Sequence, residues 1–112
     1  MADLRFRQVS GASTNAAKIK DNAGAVSSWV IINTNAAARF VKLYDIADPG
    51  PTVGTTVPAI TIQIAATSMS TFDYSPPVFF KNGIWMATTT GAADSDATAV
   101  GAGDLITQIA FE

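Results

Sequence analysis

The chain has 112 residues, with 7 Lys and Arg against 9 Asp and Glu, and a formal net charge of -2. It contains no His and no Cys, which excludes a Ser-His-Asp triad, a His general base, thiol chemistry, disulfides and the usual zinc and iron–sulfur sites. A single domain accounts for the length, and the slight negative charge argues against nucleic-acid binding, whose affinity rests on neutralising phosphates.

No apolar run approaches the roughly 20 residues that span a bilayer. The opening MADLRFR lacks the apolar stretch of a secretory signal. Only 14% of residues are charged, and the mean hydropathy is positive at +0.26. So little charge does little to keep copies of a small protein apart, which points to an assembled state.

Helix builders are scarce. Glu occurs only at Glu112, and Leu only at Leu4, Leu43 and Leu105. Thr, Val and Ile are plentiful, which favours strands. In chain order, Leu4 and Phe6 alternate with Arg5 and Arg7 in a first strand over 4–9. Residues 11–24 read as a polar, small-residue segment carrying Lys18, Lys20 and Asp21. Residues 28–33 are apolar on both faces and predict a central strand. Asn33-Thr34-Asn35 is a turn signal, so this strand and the next, over 39–46, predict a hairpin.

A Pro-Gly loop follows over 48–54. Residues 59–65 are the clearest strand: Ile60, Ile62 and Ile64 share one face, and Thr61 and Gln63 the other. Residues 74–80 form a Pro-broken segment with a short strand over 78–80. Strands over 83–89 and 105–111 flank a long Gly, Ala, Asp and Ser loop. The expected fold class is all-β: an antiparallel β-sandwich, Ig-like or jelly-roll-like, or a small barrel, with about six to eight strands. Residues 1–24 are expected as an N-terminal arm with the first strand, and 25–112 as the single sandwich domain.

Candidate chemistry is thin. Asp94 and Asp96 alternate as two Ca²⁺ ligands would, but no EF-hand Gly or Glu follows, and Asp in such loops usually stabilises turns. Asp45 and Asp48, with Tyr44 nearby, resemble an acid–base pair only loosely and read better as strand-ending Asp. Gly101-Ala102-Gly103-Asp104 is a turn rather than a dinucleotide motif. No catalytic, cofactor-binding or metal-binding residue is assigned, and no enzyme activity or cofactor is expected. A partner interface is expected at Leu4, Arg5, Phe6, Arg7, Tyr74, Phe79, Phe80 and Trp85. The basic residues there suit an acidic partner, and exposed aromatics near prolines suit a contact hot spot.

Several segments carry a resemblance: FVKLYD at 40–45, PTVGTTVP at 51–58, ITI at 60–62 and GIWMATTTGAADSDATAV at 83–100. Over residues 28–112 the chain resembles small proteins of tailed bacteriophages and prophages whose genes lie among virion structural genes. Its size and Ala/Thr/Gly-rich make-up are also similar to capsid decoration (cement) proteins. The resemblance implies a virion protein made in the bacterial host cytoplasm and placed on the capsid surface. It implies the major capsid protein as partner and a homo-oligomer, with a trimer favoured. Neither nucleic acid nor membrane is among the implied partners. A tail, neck or head-fibre module, binding host carbohydrate through Trp85 or Tyr74, is the alternative.

Overall fold

The computed structural model describes residues 4–112, which form eight strands and no helix. These are β1 (Leu4–Val9), β2 (Ala17–Lys20), β3 (Gly24–Asn33), β4 (Arg39–Asp45), β5 (Ile60–Ile64), β6 (Ser68–Phe80), β7 (Ile84–Thr89) and β8 (Leu105–Phe111). They make two four-stranded antiparallel sheets. Sheet 1 runs β1-β8-β3-β6 and sheet 2 runs β2-β7-β4-β5.

The inner faces follow from strand alternation. Sheet 1 contributes Val26, Trp29 and Ile31 from β3, and Leu105, Ile109 and Phe111 from β8. Sheet 2 contributes Val41, Leu43, Ile62, Ile64, Ile84 and Met86. Burying each such side chain stabilises the fold by about 1.5–3 kcal/mol before entropy is counted. The Ile60, Ile62 and Ile64 face points inward as its alternation requires, and Thr61 and Gln63 are exposed.

Two local expectations are corrected. First, β3 and β4 are not a hairpin, because they belong to different sheets. Asn33 explains the difference. Its buried side-chain amide donates to the carbonyls of Ile64 and Ala37, at 3.1 and 3.0 Å. The first of these lies in the opposite sheet, so the chain crosses the end of the sandwich instead of folding back. Second, 74–80 is not a separate short strand but the end of the 13-residue β6. Pro76 and Pro77 lack the N–H for ladder pairing, so the register jumps from Ser28↔Asp73 to Val26↔Val78. The strand survives because it lies at a sheet edge, where a bulge and prolines are tolerated.

The segment expected as an N-terminal arm is paired into both sheets. β1 is the edge of sheet 1 against β8, and β2 is the edge of sheet 2 against β7. Its first three residues lie outside the described residues.

A polar seam closes the end of the sandwich where β3, β4 and β8 meet. The buried Asp104 carboxylate accepts from the Gly101 N–H at 2.8 Å, from Arg39 Nε at 3.1 Å and from the Asn35 amide at 3.1 Å. The Gly101 bond foremost, then those from Asn35 and Arg39, hold this carboxyl below its ordinary 3.8, against the opposing effect of burial. A depressed carboxyl pKa gives stability that is present above the unfolded value and lost as pH falls through the folded value. Asp104→Ala is expected to cost about 2 kcal/mol in denaturant melts at pH 7, since hydrogen bonds to a charged group are at stake. Its difference from the parent chain narrows as the pH is taken below 3.8.

Candidate functional site

The two outer faces of the sandwich are treated differently. On sheet 2 the outward residues of β4 and β7 are covered: Lys42, Tyr44, Ala87 and Thr89 are all 0% exposed. The covering comes from the β4–β5 and β7–β8 loops. Gly50 lies flat on the Trp85 ring, so close that a Cβ there would sit 2.8 Å from the indole carbons. Its φ of +92° also suits only glycine without strain. The loops touch each other where Gly54 meets Ala97 and Ser95.

Lys42 pins this roof. Its stem crosses the buried layer, and its ammonium donates to the carbonyls of Ala93 at 2.7 Å and Asp96 at 3.1 Å. The loop that resembled a cation site on sequence therefore has an internal cation already facing its carbonyls. The Asp96 side chain caps the same turn by accepting the Thr98 N–H at 2.9 Å. Among the described residues no group of three or more acidic side chains is gathered to hold a metal. The Asp45 and Asp48 pair is also dispersed. Asp45 accepts the backbone N–H groups of Lys81 and Asn82, at 3.0 and 2.8 Å, and Asp48 pairs with Lys18 at 3.0 Å on the surface.

Among the described residues, sheet 1 has no such roof. Its register sets twelve outward residues in three rows of four across β1, β8, β3 and β6. The first row is Arg5, Ala110, Ser28, Asp73; the second is Arg7, Gln108, Val30, Thr71; the third is Val9, Ile106, Ile32, Met69. None of the twelve is buried. Val9 is 49%, Val30 38%, Met69 57% and, beyond the bulge, Phe79 68% exposed. Four of the seven large apolar side chains exposed among the described residues thus point out of this one face. Shallow depressions run along it, between β1 and β3 and between β3 and β6. Its charges are Arg5 and Arg7 at one edge and Asp73 at the other, and none of them is ion-paired among the described residues.

The residues expected to form an interface are divided by this arrangement. Arg5, Arg7 and Phe79 share the bare face. Leu4 and Phe6 alternate to the inner side of β1, where Leu4 is exposed at the sandwich rim and Phe6 packs on the core. Tyr74 packs against the core and stacks on Phe72, with ring centroids 4.6 Å apart, while Trp29 meets Tyr74 edge-on at 5.5 Å. Phe80 is a correction: it is 1% exposed in the core, because alternation turns it inward next to the outward Phe79. Trp85 is another, since it lies under Gly50 on the far sheet. Val9, Val30, Ile32, Met69 and Ile106 were missed. The available signal was a strand over 28–33 that is apolar on both sides.

No family model matches the chain, and no curated protein matches it. Solved structures do resemble it in shape. A Bacillus endospore appendage protein, from a family of disulfide-linked pili, is 14% identical with a TM-score of 0.50, over 97% of this chain and 84% of that one. At that identity the likeness is one of fold, and this chain has no cysteine with which to link. The tobacco streak virus coat protein is 8% identical with a TM-score of 0.45, over 99% and 86% of the two chains. The infectious bursal disease virus Gx strain structure is 14% identical with a TM-score of 0.32, over 98% of this chain and 35% of that one.

Removing the pin under the roof is expected to be costly. Lys42→Met keeps most of the stem but loses both charged hydrogen bonds, which is about 2–3 kcal/mol by denaturant melts. Proteolysis should then cut first within 91–98. Tyr44 behaves in the opposite way, because its buried hydroxyl has no partner among the described residues. Burial, and then the Asp94 charge, push its phenol above the ordinary 10.0. Above that value the unfolded chain ionises first, so stability falls as pH rises. Tyr44→Phe is expected to be neutral or stabilising by up to about 1 kcal/mol at pH 7, and to remove that alkaline loss.

Proposed function

We propose that this chain is a structural protein of a virus particle, and specifically a capsid decoration protein of a tailed phage. It works by being held in an assembly and performs no catalysis. The observation that carries the reading is the bare outer face of sheet 1. Large apolar side chains left in water on a low-charge protein are a contact surface, since burying them against a partner is favourable and little charge has to be desolvated. The resemblance over residues 28–112 to phage proteins encoded among virion structural genes supports the virion setting, and the size and Ala/Thr/Gly-rich make-up shared with decoration proteins support the outside of the head, with the major capsid protein as partner. The eight-stranded sandwich is a compact unit of the kind such a role requires, and its long loops lie flat on sheet 2 instead of forming a cleft.

A second reading, a tail, neck or head-fibre module, rests on Phe72. Phe72 is 48% exposed and its ring stacks on Tyr74 at the edge of the sandwich, and an exposed aromatic face suits a sugar face. Trp85, covered by Gly50, takes no part in such a platform.

Quantitative mass spectrometry of particles from the virus that encodes the chain separates these roles. Decoration expects a copy number comparable to that of the major capsid protein, and loss of the chain should lower the temperature at which heads burst. A handful of copies per particle overturns decoration in favour of the second reading. Absence from particles overturns both.

A further inference from the structure

Two of the three rows on the bare face have a property that a general apolar patch lacks: they are self-complementary under one particular symmetry. We propose that the outer face of sheet 1 docks on the same face of a second copy, about a twofold axis running parallel to the strands between β8 and β3. This rests on the reading of that face as a contact surface and names a second copy as its occupant, so the major capsid protein is met by another part of the chain, and the pair stands in place of the trimer that the resemblance implies.

A twofold in this direction exchanges the two edges of the sheet and keeps each row opposite itself. Arg5 of one copy then faces Asp73 of the other, because both stand in the row defined by Arg5↔Ala110, Ser28↔Ala110 and Ser28↔Asp73. The symmetry makes this pair twice. In the third row Val9 faces Met69 and Ile106 faces Ile32, so the apolar row closes on itself. Face-to-face sheets stack about 10 Å apart, a gap that an extended Arg and an Asp bridge together. The alternative twofold, across the strands, sets Arg7 on Arg7 and Arg5 on Val9, bringing like charges together and leaving Asp73 unpaired.

The size of the face sets the class of interface it can form. Strand rise and spacing give roughly 20 by 19 Å, or about 400 Å² a side before corrugation. Two such faces bury about 800 Å² in all, below the roughly 1,200–2,000 Å² of stable specific interfaces and in the range of weak, transient contacts. A weak, reversible dimer is therefore expected, rather than an obligate one. Pairing here leaves the roofed face of sheet 2 outward.

Sedimentation equilibrium of the full chain from about 1 to 500 µM tests this. The parent chain should show a monomer–dimer equilibrium. Val30→Asp, in the middle of the face and exposed, should weaken it more than about tenfold. Arg5→Asp and Asp73→Arg should each weaken it about tenfold when alone. An equimolar mixture of those two variants should recover the parent affinity, since both opposed pairs are then of opposite charge. Circular dichroism melts confirm that each variant is folded. A parent chain that is monomeric throughout, an oligomer indifferent to Val30→Asp, or a mixture no tighter than either variant alone overturns the proposal. A monomer that still decorates heads overturns the pairing and leaves the virion role standing. A dimer of this kind that is absent from particles does the reverse.

Discussion

A two-sheet sandwich hides the inner face of each sheet by construction, but covering an outer face takes additional chain. This protein has two long loops, β4–β5 and β7–β8, and both fall on sheet 2. Lys42 fixes that choice. Its ammonium, buried beneath the β7–β8 loop, is held by the carbonyls of Ala93 and Asp96, so this loop cannot lift without stranding a charge in a low-dielectric layer. The β4–β5 loop packs alongside through Gly50 on Trp85 and Gly54 on Ala97. With both loops on one side, no loop among the described residues covers sheet 1. The bare rows there are the direct consequence of the roof on the other sheet.

The same economy governs the charges. Several of the few ionisable groups are engaged inside the fold or at its seams. Arg39 and Asp104 pair at the end of the sandwich with side chains only 16% and 12% exposed. Asp45 binds the turn before β7, and Asp96 binds its own loop. On the bare face this leaves, among the described residues, two positive groups at one edge and one negative group at the other. A face so lightly charged repels partners little, and the placement of its three charges biases the orientation in which another surface can lie against it.

The fold was legible in the sequence wherever one side of a strand was clearly polar. The alternation of Ile60, Ile62 and Ile64 with Thr61 and Gln63 defined β5, and Leu4 through Arg7 defined β1. Asn33 was misread because a turn residue at a strand end suits either a hairpin or a crossing. Its buried amide reaches the other sheet, and that distance is not written locally. β2 was lost in a polar segment because four residues carry too little pattern. Of the candidate site, Arg5, Arg7 and Phe79 came together. Phe80 and Trp85 left it, because alternation turns one into the core and a loop from far along the chain covers the other.

By itself the sequence determined which side-chain chemistries are absent from this chain and the kind of surface it must have. No His, no Cys and few charges remove most reactive chemistry, and a strand apolar on both sides at 28–33 demands two apolar neighbours. Alternation within a strand is a local property, so it can be read residue by residue. Only the tertiary structure decided that, among the described residues, one of those neighbours is missing. The register across β1, β8, β3 and β6 joins residues up to about a hundred positions apart, and it alone sets Arg5 and Asp73 at opposite ends of one row. Whether a face is covered depends on where distant loops come to rest, and no local pattern records that.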